Sequence, residues 1–349
     1  MNKTIINRAY YSSATRIPKL TSNAYTYGFI NKSVKQYNLS KVNIRKSTSS
    51  TFILTGWEHH YNLMNNVSVT HNNTDKNDET QENDSDKQYI IDLFNTKVKG
   101  KEICVESQNS RHCGKEGHWL EKQMGIAHND INEPDIRGYE MKSFGMHTKT
   151  GKKTTLGDFG ATEYAFSGND KRTYINTRNN WTDDEMKMTR GEFIRYFGNP
   201  NQNKNNRYSW SGTCVPKYNT WSNNGQNLVV ENNDIIIYYS YSKDTRSTKT
   251  NLPEYLKNDD IVIAVWKKCK MEQHINKKFN KKGFFVCKKS GSTFDSICFG
   301  RPFDFVYFIE CIKNKKIIFD SGMYDGNKRN YSQFRGDLSF WDNLIMEEY

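Results

Sequence analysis

The chain has 349 residues, enough for one large domain or two small ones, and its 21 Tyr, 19 Phe and 7 Trp can fill a real core. No stretch approaches the roughly 18 consecutive apolar residues of a membrane span, so no membrane partner is expected. The net charge of +12 suggests a polyanionic partner, but its placement weakens that inference.

From Met1 to Trp57 there are nine Lys and Arg and no acidic residue, which leaves 42 basic against 39 acidic residues for the rest. Segment 1–57 therefore reads as a mitochondrial-type transit or disordered segment, drawn toward an electrically negative matrix. Arg8-Ala9-Tyr10-Tyr11-Ser12-Ser13 resembles an arginine-anchored presequence cleavage site. A basic tail that touches DNA phosphates is the plainer alternative. Residues 58–88 have no apolar period and six acids between Asp75 and Asp86, the composition of a disordered linker. Folding is expected from Tyr89 onward, with a catalytic lobe over about 89–200 and a recognition lobe within about 201–349.

Lys115–Met124 reads as a helix closed by Gly125, and Gly138–Phe144 as a strand after a turn at 132–134. Thr189-Arg190-Gly191-Glu192 is a capping box that opens a helix through Phe197, with Gly198 and Pro200 closing it. Strands follow at Asp234–Tyr241, Ile261–Trp266, Gly283–Cys287, Phe303–Cys311 and Lys316–Phe319, the last two as a hairpin around Lys313-Asn314. A helix from Lys267 to about Lys278 lies among them. The fold class is mixed α/β, with no internal repeat. Seven scattered cysteines show no CxxC pair and no zinc spacing, which favours reduced thiols.

The chemistry points to Asp135, Glu140 and Lys142. Side chains alternate along a strand, so Glu140 and Lys142 project the same way, and Asp135 arrives from the preceding turn. Two converging carboxylates can hold a hard divalent cation such as Mg2+ through oxygen. The ammonium beside them can orient a water and offset charge on an attacked phosphate. By chance alone Asp-x4-Glu-x-Lys arises on the order of once in ten chains of this length, so context must add weight. Pro134, the turn-then-strand setting and Glu121 on an upstream helix supply it.

Gly117-x-x-Leu120-Glu121, Pro134-Asp135 and Gly138-Tyr139-Glu140-Met141-Lys142-Ser143 resemble the core of the PD-(D/E)xK nucleases. More narrowly they are similar to the branch holding the restriction enzymes MvaI and BcnI and the nickase MutH. The resemblance covers residues 114–145 well and is diffuse beyond them. It implies a restriction-endonuclease-like core, a mixed central sheet flanked by helices, in a two-lobed monomer that clamps double-stranded DNA. It also implies Asp135 and Glu140 as metal ligands, Lys142 as the catalytic lysine and Glu121 as an accessory acid that also faces the metal. The long N-terminal extension departs from the family.

DNA contacts are expected from Lys328, Arg329, Gln333 and Arg335, because Arg reads guanine, Gln reads adenine and Lys grips phosphate. Arg207, with Lys204, Lys217, Tyr208 and Trp210, is a second basic and aromatic candidate. His118, His128 and His147 flank the motif, but a site with its own lysine does not need them. The expected activity is sequence-specific cleavage of double-stranded DNA inside mitochondria. The alternatives are a bacterial or viral restriction enzyme in the cytoplasm, a MutH-like nickase, and an inactive DNA-binding protein of the organelle.

Overall fold

The computed structural model describes residues 74–104, 115–127, 133–145, 153–166 and 173–349. The protein divides into two units, Met1–Glu79 and Thr80–Tyr349. Segment 1–57, residues 58–73 of the expected linker, and His128 and His147 lie outside the described residues.

Helix α1 (Thr74–Lys97) begins inside the segment expected as linker. Its acidic first half hides any apolar period. Its second half carries Ile90, Ile91 and Phe94, which with Val98 form one buried face. Helix α2 (Lys115–Gln123) ends as expected at Gly125, whose φ of +70° is the left-handed cap conformation.

Next come strands β1 (Glu140–Gly145), β2 (Thr154–Asp158) and β3 (Glu163–Tyr164), then helices α3 (Thr173–Asn179) and α4 (Arg190–Phe197). The α4 capping box forms as the sequence implies, with Thr189 and Glu192 satisfying each other's backbone amides. Strands β4 (Asn199–Asn201), β5 (Arg207–Trp210), β6 (Asn224–Glu231), β7 (Asp234–Asp244) and β8 (Ile261–Trp266) follow. Asn232 and Asn233, both at positive φ, make the two-residue turn between β6 and β7. Helix α5 (Lys268–Phe279), β9 (Phe284–Ser290) and β10 (Thr293–Gly300) come next.

Helix α6 (Phe305–Lys313) replaces the strand expected over 303–311. Phe305, Phe308, Ile309 and Ile312 are spaced for one helical face, and Asp304 caps the first turn by accepting from Tyr307 N at 2.9 Å. The aromatic and apolar richness of the segment resembles a strand; its period does not. The expected hairpin around 313–314 is thus a helix-to-strand turn with Lys315 at positive φ. Strands β11 (Ile317–Asp320), β12 (Met323–Tyr324) and β13 (Gln333–Gly336), helix α7 (Leu338–Asp342) and β14 (Ile345–Glu348) complete the chain.

One four-stranded sheet has the order β1-β9-β10-β14, with β1 parallel to β9 and the other pairs antiparallel. Another runs β3-β8-β7-β6, and two three-stranded sheets run β11-β13-β2 and β12-β5-β4. The class is mixed α/β. Three of the four strands in the sheet that carries Glu140 and Lys142 come from beyond residue 280. Tyr139, Met141, Phe285, Cys287 and Phe299 face a core filled by α1 and α2. On the other side Phe284, Val286 and Cys298 join the larger core with Phe279 and Trp341. The strand period thus puts Met141 against helix α1 and sends Glu140 and Lys142 the other way. Among the described residues no helix is long and apolar enough to cross a membrane.

Candidate active site

Asp135 sits just before a tight turn, Ile136–Tyr139, and Glu140 opens β1 directly after it. The turn is closed by Ile136 N to Tyr139 O (3.0 Å) and Tyr139 N to Ile136 O (2.8 Å). Asp135 Oδ2 accepts from Met141 N at 2.8 Å, which folds the aspartate back over the strand start. β1 is registered in parallel with β9, Glu140 against Phe284 and Lys142 against Val286.

The sequence placed Glu140 and Lys142 on one face, and they meet there. Lys142 Nζ donates to Glu140 Oε1 at 2.6 Å and to Leu156 O at 3.3 Å, and lies 6.0 Å from the Trp341 ring centre. Both side chains are nearly sealed from solvent, 11% and 3% exposed. A second ammonium completes the arrangement: Lys278 Nζ of α5 lies 3.0 Å from the same Glu140 Oε1, with its side chain 9% exposed.

Sequence reasoning missed Lys278, which stands 138 positions from Glu140. One signal was present. Met271, Ile275, Lys278 and Phe279 occupy the buried face of α5, so Lys278 fills a slot that the helical period assigns to the core. A lysine there needs an anion.

Burial raises the Glu140 pKa, and the nearby Asp135 carboxylate adds to that push, while Lys142 and Lys278 oppose it. Burial lowers the Lys278 pKa, and the Lys142 charge adds to that effect. Glu140 Oε2 is buried and has no hydrogen-bond donor among the described residues. A carboxylate oxygen in that position suits a hard cation, shared with Asp135 beside it.

Glu121 is placed differently. Its Oε2 lies 3.2 Å from His118 Nδ1 on the same helix, with the side chain 37% exposed. Among the described residues no three His, Cys, Asp or Glu side chains form a metal-binding group. The two-carboxylate set of Asp135 and Glu140 therefore stands without Glu121. The six described cysteines are free thiols.

The expected DNA-binding residues fall on a loop, on β13 and on β5. Lys328 is exposed, and Arg329, 52% exposed, lies 3.8 Å from Asp158 and over the Tyr331 ring. Gln333 and Arg335 belong to β13, the middle strand of its sheet. Arg335 Nη2 donates to Gln333 Oε1 at 2.5 Å. Its Nε is 3.2 Å from Asp320, an ion pair without the angle of a hydrogen bond. Arg207 stacks on Tyr324 at 3.6 Å, which occupies its guanidinium face.

Sequence reasoning also missed Arg190. It donates to Asn327 O (2.6 Å), Asn327 Oδ1 (2.6 Å), Arg329 O (2.7 Å) and Asn330 Oδ1 (2.8 Å), which shapes the loop that exposes Lys328 and Arg329.

Comparison with known proteins assigns the family. The LlaMI restriction endonuclease family matches residues 98–349. The type II restriction enzyme ScrFI of Lactococcus lactis subsp. cremoris is 40% identical over 274 residues, covering 75% of this chain and 97% of that protein. Among solved structures, restriction endonuclease MvaI with its cognate DNA substrate covers 75% of this chain and 95% of its own, at 14% identity and a TM-score of 0.46. MvaI without DNA gives 74%, 96%, 13% and 0.32. The matched span holds Asp135, Glu140, Lys142 and Lys278, and the chain belongs to the LlaMI restriction endonuclease family.

Proposed function

We propose that this protein is a Mg2+-dependent, sequence-specific type II restriction endonuclease that hydrolyses phosphodiester bonds of double-stranded DNA as a monomer. The observation that carries the reading is the buried Glu140 carboxylate, with one oxygen held by Lys142 and Lys278 and the other without a donor among the described residues. Asp135 and Glu140 are the residues that would hold the ion. Bound there, Mg2+ would supply Lewis-acid polarisation of the scissile phosphate and a more acidic water.

The chain's own residues do the rest. Asp135, tied to the Met141 amide, presents its carboxylate beside Glu140 without a flexible arm. Lys142, held by Glu140 and the Leu156 carbonyl, is placed to orient the attacking water and to offset charge on the phosphate. Burial pushes the Glu140 pKa up, and Lys142 and Lys278, both at the same carboxylate oxygen, oppose that push. Glu121 is an accessory acid at most one step removed, and Lys328 and Arg329 are exposed cations among the expected DNA contacts.

The bacterial relative supports a cytoplasmic restriction enzyme in place of the mitochondrial address expected of residues 1–57. Incubating the full chain with double-stranded DNA and MgCl2, with a chelator control, and mapping the fragment ends tests the proposal. Discrete ends at one repeated sequence support it. Intact DNA, or ends at random positions, would overturn it.

A further inference from the structure

Helix α1 precedes the span matched by the family, yet it reaches the turn between the two candidate metal carboxylates. Asp86 of α1 is 9% exposed. Its Oδ2 accepts from Lys282 Nζ at 2.5 Å, and its Oδ1 lies 3.5 Å from Arg137 Nη1. Tyr89, one turn further along α1, places its ring 4.7 Å beneath the Arg137 guanidinium. The Lys282 side chain crosses Gly138 so closely that a Cβ there would lie 3.2 Å from Lys282 Cδ.

The turn has reason to need holding. Arg137 has φ +50° and Gly138 φ +83°, so a residue with a Cβ is kept in the left-handed region next to a glycine. Such a conformation persists where its surroundings over-determine it. Here the surroundings are the Asp86 ion pairs, the Tyr89 ring and the Lys282 strap. Asp135 leads into this turn and Glu140 leads out of it. The turn and the Asp135 Oδ2 bond to Met141 N together join the two carboxylates, so a shift of Ile136–Tyr139 acts on their separation.

We infer that Asp86 is a positioning residue for the active site: through Lys282 and Arg137 it latches the Ile136–Tyr139 turn and sets the spacing of Asp135 and Glu140. This rests on the reading of those two residues as metal ligands. It assigns helix α1 a part in catalysis and not only in the core.

The test separates positioning from stability. Removing one partner of a buried pair leaves an uncompensated charge, whereas an apolar pair of similar volume is often tolerated. Full-length Asp86→Ala and the double variant Asp86→Leu with Lys282→Met are compared with wild type by thermal melting. Mn2+ binding is read from the electron paramagnetic resonance signal of the free ion, and steady-state DNA cleavage is measured in parallel. Supports of metal ligands typically contribute about tenfold to a hundredfold in affinity, and a loss of that size is expected in both variants. The melting temperature of the apolar pair should return toward wild type while its Mn2+ binding stays weak. The loss should fall on kcat, with KM for DNA within about twofold of wild type.

Unchanged Mn2+ binding in folded Asp86→Ala would overturn the inference. So would an apolar pair that restores melting and Mn2+ binding together, because that marks a merely structural role. If Asp86→Ala fails to fold, the apolar pair decides alone. Because Mn2+ binding is read apart from cleavage, a wild type that holds Mn2+ without cutting DNA would sink the nuclease reading while the variants still decide the latch. A wild type that holds no Mn2+ would overturn both.

Discussion

Two short charged segments, 135–142 and 328–336, are used by the fold in different ways. In the first, Lys142 and the distant Lys278 close on one buried carboxylate, with Asp135 beside it. In the second, two separate carboxylates divide the arginines, Asp158 beside Arg329 and Asp320 beside Arg335. Lys328 and Arg329 leave the protein on a loop shaped by Arg190, while Arg335 is taken up by Gln333 and Asp320 within a sheet. Gln333 and Arg335 obey the same alternation as Glu140 and Lys142. Alternation says which side chains share a face, not what already waits on it. In β13 the neighbour is Asp320, paired across from Gln333, and it occupies the arginine.

The largest effects should separate the two segments. Asp135→Ala, Glu140→Ala and Lys142→Ala are each expected to abolish cleavage in single-turnover assays, with DNA binding in chelator largely retained. Residual cleavage near the wild-type rate in any of the three would break the comparison at its stronger end. Lys278→Met should follow, with a rate lower by about tenfold to a hundredfold, since Glu140 loses one of two buried counter-charges. A Lys278→Met enzyme that cuts as fast as wild type would reduce that residue to packing.

How far the sequence reached can be followed residue by residue. The pairing of Glu140 with Lys142 was legible because both lie on one strand, where a two-residue step is a statement about geometry. The α4 capping box was legible for the same reason: its partners lie three residues apart. Lys278 and Asp86 were not legible as partners of the motif, because only the fold brings α5 and α1 to it. Helix α1 was hidden by the acidic, polar composition of its first half, which composition alone reads as linker. The α6 segment failed differently. Its aromatic content argued for a strand while its spacing argued for a helix, and spacing decided, because burial depends on which face a residue occupies.

Within the basic segment, the two arginines should now diverge. If Arg329 is bidentate to guanine, Arg329→Ala should lower discrimination between the mapped site and a one-base mismatch by about 1–3 kcal/mol. A uniform loss over all sequences would assign it to phosphate. Arg335→Ala should leave discrimination unchanged and lower stability by about 1 kcal/mol or less, as expected of a partly exposed ion pair. Competition binding and thermal melting on the same two variants read both numbers. Equal losses of discrimination would mean that the β13 arginine leaves Asp320 when DNA arrives.

The smallest effect is expected at Glu121. Family resemblance gives it an accessory role, but its carboxylate faces His118 one helical turn earlier and is more than a third exposed. No third acid joins Asp135 and Glu140 among the described residues. A group outside the cation's reach can act on the reaction only through the general field, which solvent screens at that exposure. Glu121→Ala should therefore lower the single-turnover rate by a factor of about three or less and leave the Mg2+ requirement unshifted. A larger loss that recovers at high Mg2+ would show that DNA binding draws α2 toward the metal and adds its carboxylate as a third ligand. The contrast between a converged and a dispersed charged segment would then extend to α2, with DNA as the agent of convergence.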